Sequence, residues 1–334
     1  MSSLSAHLQK GGQLLSPLNA FEVLSPRITR ILGMNPSPYT LTGTNCYLIG
    51  SGPSRILVDT GEGLPQFVDV LEAAMVHIGC SHIQEIIISH WHRDHIGGVP
   101  SLRERFGSDI PVKKFPYAQL SSCSEVGEGG EGGPPDFIVS NEGFVPLSDG
   151  DRIATQGATL RVLHTPGHAS DHIALLLEEE SALFSGDNIL GTGTCIINDL
   201  DLYLKSLRRY QSLGGTLEKI YPGHGPVVDD GRKKVDDYIA HREHRVTQVR
   251  DALRSAKGGA KGRNWWYSEE VARAVYGDDL APSLLPAATN NTILVLNKLA
   301  ASNEVVLLDN DGGKAGGFQS RWSSNDASRT GGKL

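Results

Sequence analysis

The stretch Ser89-His90-Trp91-His92-Arg93-Asp94-His95-Ile96-Gly97-Gly98 constrains this chain more than any other. It places three imidazoles and a carboxylate in six positions, directly after the apolar run Glu85 to Ser89. A buried strand that runs into the turn before a helix aims such side chains into one cleft beyond a sheet edge. Imidazole and carboxylate suit zinc, and His90 and His92, at alternate positions, can share one ion. Asp94 and His95 project from another part of the turn, which suits a second ion. A histidine-rich surface loop would need neither the apolar strand before the cluster nor the glycine pair after it.

One cluster cannot complete two metal sites, and three later segments supply the rest. Thr165-Pro166-Gly167-His168, Phe184-Ser185-Gly186-Asp187 and Tyr221-Pro222-Gly223-His224-Gly225 each follow a short apolar run. Each repeats one order: strand, glycine, ligand. A lone histidine in such a place is usually structural; the repetition favours ligation for His168, Asp187 and His224.

Around these segments the first half reads as short strands. Asn45 to Gly50 and Arg55 to Asp59 form one apolar pair. Thr159 to Leu163, Ile173 to Leu177, Ala182 to Phe184 and Ile220-Tyr221 form a second set. Leu64 to Ile78 has helical spacing. Cys123 to Asp136 carries five glycines and a proline pair, the composition of a surface loop. From Asp229 to Ala256 a charged segment has apolar residues at helical spacing. Helices over Ser268 to Tyr276, with Ser268 as N-cap, and Thr292 to Ala301 follow, then a strand over Val305 to Leu308. The expected organisation is a catalytic domain over 1–228, a small helical and winged-helix-like domain over 229–308, and a disordered tail over 309–334, rich in Gly, Ser and charge.

Composition narrows the function classes. The net charge is −7, so there is no broad electrostatic footprint for nucleic acid. No apolar run has membrane-spanning length. The start, through Gln13, shows no apolar stretch or small-residue cleavage site, which argues against a secretory signal. It lacks acidic residues but also arginine, so mitochondrial targeting has little to rest on. Cys46, Cys80, Cys123 and Cys195 are scattered without C-x-x-C spacing, as expected of reduced thiols in an intracellular, cytoplasmic protein.

From about Thr44 to Val228 the motifs resemble the metallo-β-lactamase superfamily: H-x-H-x-D-H at 90–95, then His168, Asp187 and His224. The resemblance implies an α+β fold, an αββα sandwich of two mixed sheets with helices outside. It also implies two zinc ions at one sheet edge, acidifying water for hydrolysis. The first would be held by His90, His92 and His168, the second by Asp94, His95 and His224, with Asp187 between them. Asp94 would also orient the nucleophile and relay a proton to the leaving group. Asp59 matches an aspartate that braces such sites. Members with a cysteine ligand have it where this chain has Asp187, so β-lactam hydrolysis is not expected. His172 reads equally as a supporting, substrate-facing or plain structural residue.

Thr42-Gly43-Thr44-Asn45-Cys46-Tyr47-Leu48 and Ser185 to Gly191 narrow the resemblance to the β-lactamase-like 2 branch. That branch implies one of two activities: cleavage of single-stranded RNA, or thioester hydrolysis releasing polyketides from an acyl carrier protein. The acidic total favours an acyl carrier protein or a small thioester. Lys113-Lys114, Arg208-Arg209, Lys233-Lys234, Arg242 and Arg245 are candidate phosphate contacts for RNA, though such runs are commonly solvated faces. Trp265-Trp266-Tyr267 could stack bases, line an acyl pocket or pack a hinge between domains. A non-catalytic binding protein on the same fold is the remaining class, and the complete ligand set argues against it.

Overall fold

The computed structural model describes residues 9–10, 13–14, 17–118, 133–214, 217–255, 263, 265–309 and 320–325. Two sheets carry the first part of the chain. Seven strands lie side by side in chain order: Phe21–Ser25, Ile28–Leu32, Asn45–Ile49, Ser54–Val58, His82–Ile88, Val112–Lys114 and Val145–Pro146. The first four pair antiparallel and the later neighbours pair parallel. Five strands form the second sheet: Arg152–Thr155, Ala158–His164, Ile173–Leu177, Ala182–Gly186 and Lys219–Pro222. Only its last pair is parallel.

Every residue of Asn45–Ile49 is buried, because the strand is covered on both faces. Side chains alternate across a strand, so Tyr47 and Ile49 join one core and Cys46 and Leu48 another. The first core lies between the sheets, with Ile56, Val58 and Ile87 meeting Leu160, Val162, Leu175 and Phe184. Burying each such side chain is worth roughly 1.5–3 kcal/mol before entropy is counted. The second core covers the outer face of the seven-stranded sheet with the helix Pro65–His77, through Phe67, Leu71, Ala74 and Met75.

On the outer face of the five-stranded sheet, Leu163, Ala174, Leu183 and Ile220 are also buried. The helix Leu200–Gln211 supplies the cover, with Tyr203, Leu204, Leu207 and Tyr210 on its buried face. Its N-cap Asp199 accepts from the Leu202 N–H at 2.9 Å. The order of layers is the expected αββα sandwich.

The chain divides into compact units at 1–238 and 239–334, ten residues beyond the boundary drawn from sequence. The helix Gly231–Arg254 runs through that division and hides it from composition. The second unit contains helices Ser268–Tyr276 and Leu285–Ala301 and a three-stranded sheet, Trp266–Tyr267, Arg321–Ser324, Val305–Asp309 in that spatial order. Leu285–Ala301 starts seven residues before the expected Thr292; Pro286 opens it, and the polar Asn290-Asn291 pair masks its first turns. The N-cap of Ser268–Tyr276 is Tyr267, the extended residue before the helix, rather than Ser268, whose hydroxyl accepts from Trp322 Nε1 at 2.9 Å.

That contact also corrects the expected disordered tail. Arg321–Ser324 is a paired strand, and Trp322 is 1% exposed. One large apolar anchor outweighs the polar composition around it. Residues 310–319 and 326–334 lie outside the described ones, as does the Gly-rich stretch up to residue 132. No helix among the described residues is long and apolar enough to cross a membrane.

Candidate active site

Strand direction gathers the candidate residues. Ser54–Val58 and His82–Ile88 are parallel, so Asp59 and the 90–95 cluster leave the same edge. Ala158–His164 and Ala182–Gly186 are both antiparallel to Ile173–Leu177 and therefore share a direction. Lys219–Pro222 runs parallel to Ala182–Gly186, so His168, Asp187 and His224 follow three strand ends on one side. Cross-sheet bonds close that edge: Asn45 N–H donates to Gly223 O at 2.7 Å and Ile173 N–H to Ser89 O at 2.8 Å.

All seven predicted ligands are brought together, and each is buried. They fall into three overlapping groups able to hold a metal: His90, His92, His168; His90, His95, Asp187; and Asp94, His95, His224. In the first group, His168 Nε2 lies 3.2 Å from His90 Nε2 and 3.0 Å from His92 Nδ1, which is 3.0 Å from His90 Nε2. Three imidazole nitrogens in a triangle cannot all hydrogen-bond one another, because each is either donor or acceptor. The outer partners sharpen this. His168 Nδ1 donates to Ile196 O at 2.7 Å. The Ser89 hydroxyl donates to Asp59 Oδ2 at 2.7 Å and so accepts from His90 Nδ1 at 3.0 Å. Neutral His90 and His168 therefore point Nε2 lone pairs at each other. A shared cation resolves that clash, and ligands at zinc–nitrogen distances of about 2.0 Å stand about 3.3 Å apart around a tetrahedral ion.

The group Asp94, His95 and His224 tells the same story with charge. Asp94 Oδ2 lies 3.2 Å from both His95 Nε2 and His224 Nε2. Asp187 Oδ1 lies 3.4 Å from His95 Nε2, and its Oδ2 lies 3.1 Å from His224 Nε2 and 3.8 Å from His168 Nε2. Asp187 thus stands between the groups. Despite these distances, His95 Nε2, His224 Nε2 and both Asp187 oxygens make no hydrogen bond and are shielded from solvent. The atoms face a common point rather than one another. Orphaned buried polar atoms are costly, and a metal fits the donor set and satisfies it.

Other residues hold the candidate ligands in place. Asp59 takes His95 Nδ1 at 2.8 Å and the Ser89 N–H at 2.7 Å, from a left-handed backbone (φ 59°) that aspartate tolerates. Thr44 Oγ1 donates to Asp94 Oδ2 at 3.0 Å and is itself held by Asn35 Nδ2 at 3.1 Å. His172 is a supporting residue. Its Nε2 accepts the Asp187 N–H at 3.2 Å, its Nδ1 faces Thr165 Oγ1 at 3.0 Å, and it does not reach the surface.

Glycine is required at the turns that carry these residues, Gly98 and Gly223 among them. A Cβ on Gly98 would overlap Thr60 O, and one on Gly223 would overlap Asp187 Oδ1 and crowd His95 Cε1. Gly223→Ala is expected to lower metal affinity by about 10–100-fold, the effect of disturbing a supporting contact. Dialysis against graded chelator reads this, and unchanged retention would sink the idea.

Burial holds His90 well below the usual histidine range, helped by its neighbouring imidazoles, and brings His92 down to about 3. Burial also lowers His168. Burial acts the same way on His224 and His95, but the carboxylates outweigh it. Asp187 and Asp94 raise His224 to about 10, and Asp94, Asp187 and Asp59 raise His95 well above its usual value. Burial would raise the carboxyls of Asp94 and Asp187, yet these imidazoles hold both well below the normal range. At pH 7 the metal-free first group is therefore neutral, while His95 and His224 carry protons that a metal must displace. Loading the group Asp94, His95 and His224 is expected to release about two protons, with affinity rising with pH until His224 titrates. Calorimetry in buffers of different ionisation enthalpy checks this; proton-neutral uptake at pH 7 contradicts it.

A cleft of about 870 Å3 opens beside the candidate ligands His92 and Asp94. Leu64, Ile96, Val99, Pro100, Phe137 and Phe144 make much of its wall.

The metallo-beta-lactamase superfamily profile matches residues 39–228. The chain belongs to that superfamily. Within it, this chain is 40% identical over 292 residues to a beta-lactamase-like protein 2 homolog of Caenorhabditis elegans, covering 87% of this chain and 90% of that one. It is 35% identical over 295 residues to the atrochrysone carboxyl ACP thioesterase nsrC of Aspergillus novofumigatus, covering 87% and 84%. A beta-lactamase domain protein from Burkholderia ambifaria shares the fold at TM-score 0.70 and 20% identity, covering 91% of this chain and 93% of its own.

The basic runs weighed as phosphate contacts are largely committed within the first unit. Lys113 pairs with Glu85 at 2.5 Å, Arg209 with Asp149 at 2.8 Å and Lys233 with Asp237 at 2.5 Å. Lys114 is not a surface residue: it is buried 3.0 Å from Asp171. Sequence reasoning missed Lys114, Asp171 and the Asn35–Thr44 pair as supports of the site. The one signal available was that Thr44 and Asp171 sit inside motif segments.

Proposed function

We propose that this superfamily member is a dinuclear zinc hydrolase of thioesters, acting on an acyl carrier protein or a related small thioester. His90, His92 and His168 would hold one ion, Asp94, His95 and His224 the other, with Asp187 shared. Bound there, the ions supply acidified water and a Lewis acid for the scissile carbonyl. The observation that carries the substrate class is the apolar cleft beside His92 and Asp94, which suits an acyl chain better than a sugar-phosphate backbone. Relatives named atrochrysone carboxyl ACP thioesterase, at 33–36% identity, support the same reading.

Asp94 lines the cleft while Thr44 secures its Oδ2. It would orient the attacking water and pass that water's proton to the departing sulfur as the carbon–sulfur bond breaks, giving an acid and a thiol. Asp59, Ile196 O and Ser89 keep the imidazoles in the tautomers ligation needs.

The test is an assay of zinc-loaded protein on acyl-carrier thioesters and on single-stranded RNA, beside Asp94→Ala. Thioester turnover is expected, falling at least about 100-fold in the variant, as when a general acid–base group is removed. RNA cleavage that disappears in the variant, without thioester turnover, overturns the proposal. Metal analysis finding no transition metal in protein purified without chelators overturns the site itself.

A further inference from the structure

Arg103 lies on the helix Val99–Phe106 and lines the cleft together with Val99, Pro100, Phe137 and Phe144. Val99 and Arg103 are four apart, so both sit on the helix face turned to the cleft. Arg103 is about 7 Å of helix rise beyond Gly98, at the end of the ligand motif.

Its guanidinium has little to hold. Nη2 donates to Gly143 O at 3.3 Å, and Nε is buried with no acceptor. The arginines on either side in sequence face carboxylates: Arg93 lies 3.7 Å from Glu62, and Arg105 pairs with Glu72. Arg103 has no such ion pair among the described residues. Glu142 lines the same cleft without reaching ion-pair distance. A guanidinium offers five donors in a planar fork that matches an anion at two points. Set in an apolar wall and shielded at Nε, that fork is left open for a ligand.

We propose that Arg103 is the anion-recognising residue of this cleft, and that the acyl group admitted carries an acidic substituent on an apolar body. The proposal rests on the thioester reading above and deepens it. Val99, Pro100, Phe137 and Phe144 receive the body and Arg103 the anion. An anion belonging to the acyl group, rather than the phosphate of a carrier arm, fits the apolar side chains around the fork.

Binding of non-hydrolysable thioether analogues of aryl-acyl N-acetylcysteamine to the metal-loaded full chain tests this by calorimetry. Paired compounds carry a carboxylate or a carboxamide on the far side of the ring. Wild type is expected to prefer the carboxylate by about 10–100-fold. Arg103→Met should abolish the preference while changing carboxamide affinity by less than about threefold, and Arg103→Lys should retain part of it. A preference kept in Arg103→Met, or an equal loss for both compounds, overturns the assignment. So does an Arg103 effect confined to coenzyme A-linked analogues, which would put the anion on the carrier arm. Turnover of the parent thioesters is read separately. Binding preference without hydrolysis would defeat the thioesterase reading alone, and hydrolysis without preference would defeat the Arg103 assignment alone.

Discussion

Asp187→Ala is expected to leave the sandwich folded but to lower bound metal below two ions per chain after dialysis. Hydrolysis should fall by at least about 100-fold, beyond the effect of losing a supporting partner. The expectation follows from position. Asp187 Oδ1 faces His95 and Oδ2 faces His224 and His168, so one deletion weakens both groups at once. The side chain packs no apolar core, so its removal makes only a small cavity. Without the carboxylate, the force raising His95 and His224 also weakens, and the metal-free variant carries less buried charge. Asp187→Asn keeps the volume and separates charge from shape. Elemental analysis with a melting curve decides the matter; full metal content and activity within a few-fold of wild type would rule out the shared position.

Lys114→Met is expected to cost roughly 3–5 kcal/mol, the penalty for stranding one member of a buried ion pair. Lys114 is 1% exposed and Asp171 fully buried, 3.0 Å apart. Lys114 Nζ also donates to Phe115 O at 2.8 Å, and Asp171 Oδ1 accepts from the Trp91 N–H at 3.4 Å. The pair thereby ties the strand Val112–Lys114 to the loop bearing His90 and His92. Burial already raises the Asp171 carboxyl, outweighing the pull of Lys114. An acid with a raised folded pKa favours folding below its unfolded pKa and disfavours it as pH rises. The variant's loss should therefore be smaller at pH 5 than at pH 8. Adding Asp171→Asn should recover much of the stability. Equal losses at both pH values in denaturant titrations would contradict this account.

Much of the site was legible because its grammar is local: a strand, a glycine, a ligand, repeated at His168, Asp187 and His224. The helix Pro65–His77 and the strand Ile173–Leu177 were legible through apolar spacing and continuous burial. What escaped was set by distant partners. Lys114 reads as half of a basic pair, and only the arrival of Asp171, far along the chain, makes it a core residue. Leu200–Gln211 escaped although Asn198-Asp199 precede it and Asp199 caps it, because the motif Ser185 to Gly191 just upstream points to the site rather than to helical spacing. Trp322 sits in a Gly- and Ser-rich tail, and its burial depends on Trp266 and Ser268 more than fifty positions earlier.

His90 and His224 are far apart in sequence yet belong to adjoining groups, so bound ions would act as cross-links closing long stretches of chain. Constraining long loops restricts the unfolded ensemble more than a local contact does. The metals would then set how long the folded chain survives a chelator or a protease. The reaction site would double as the clasp of the whole first unit.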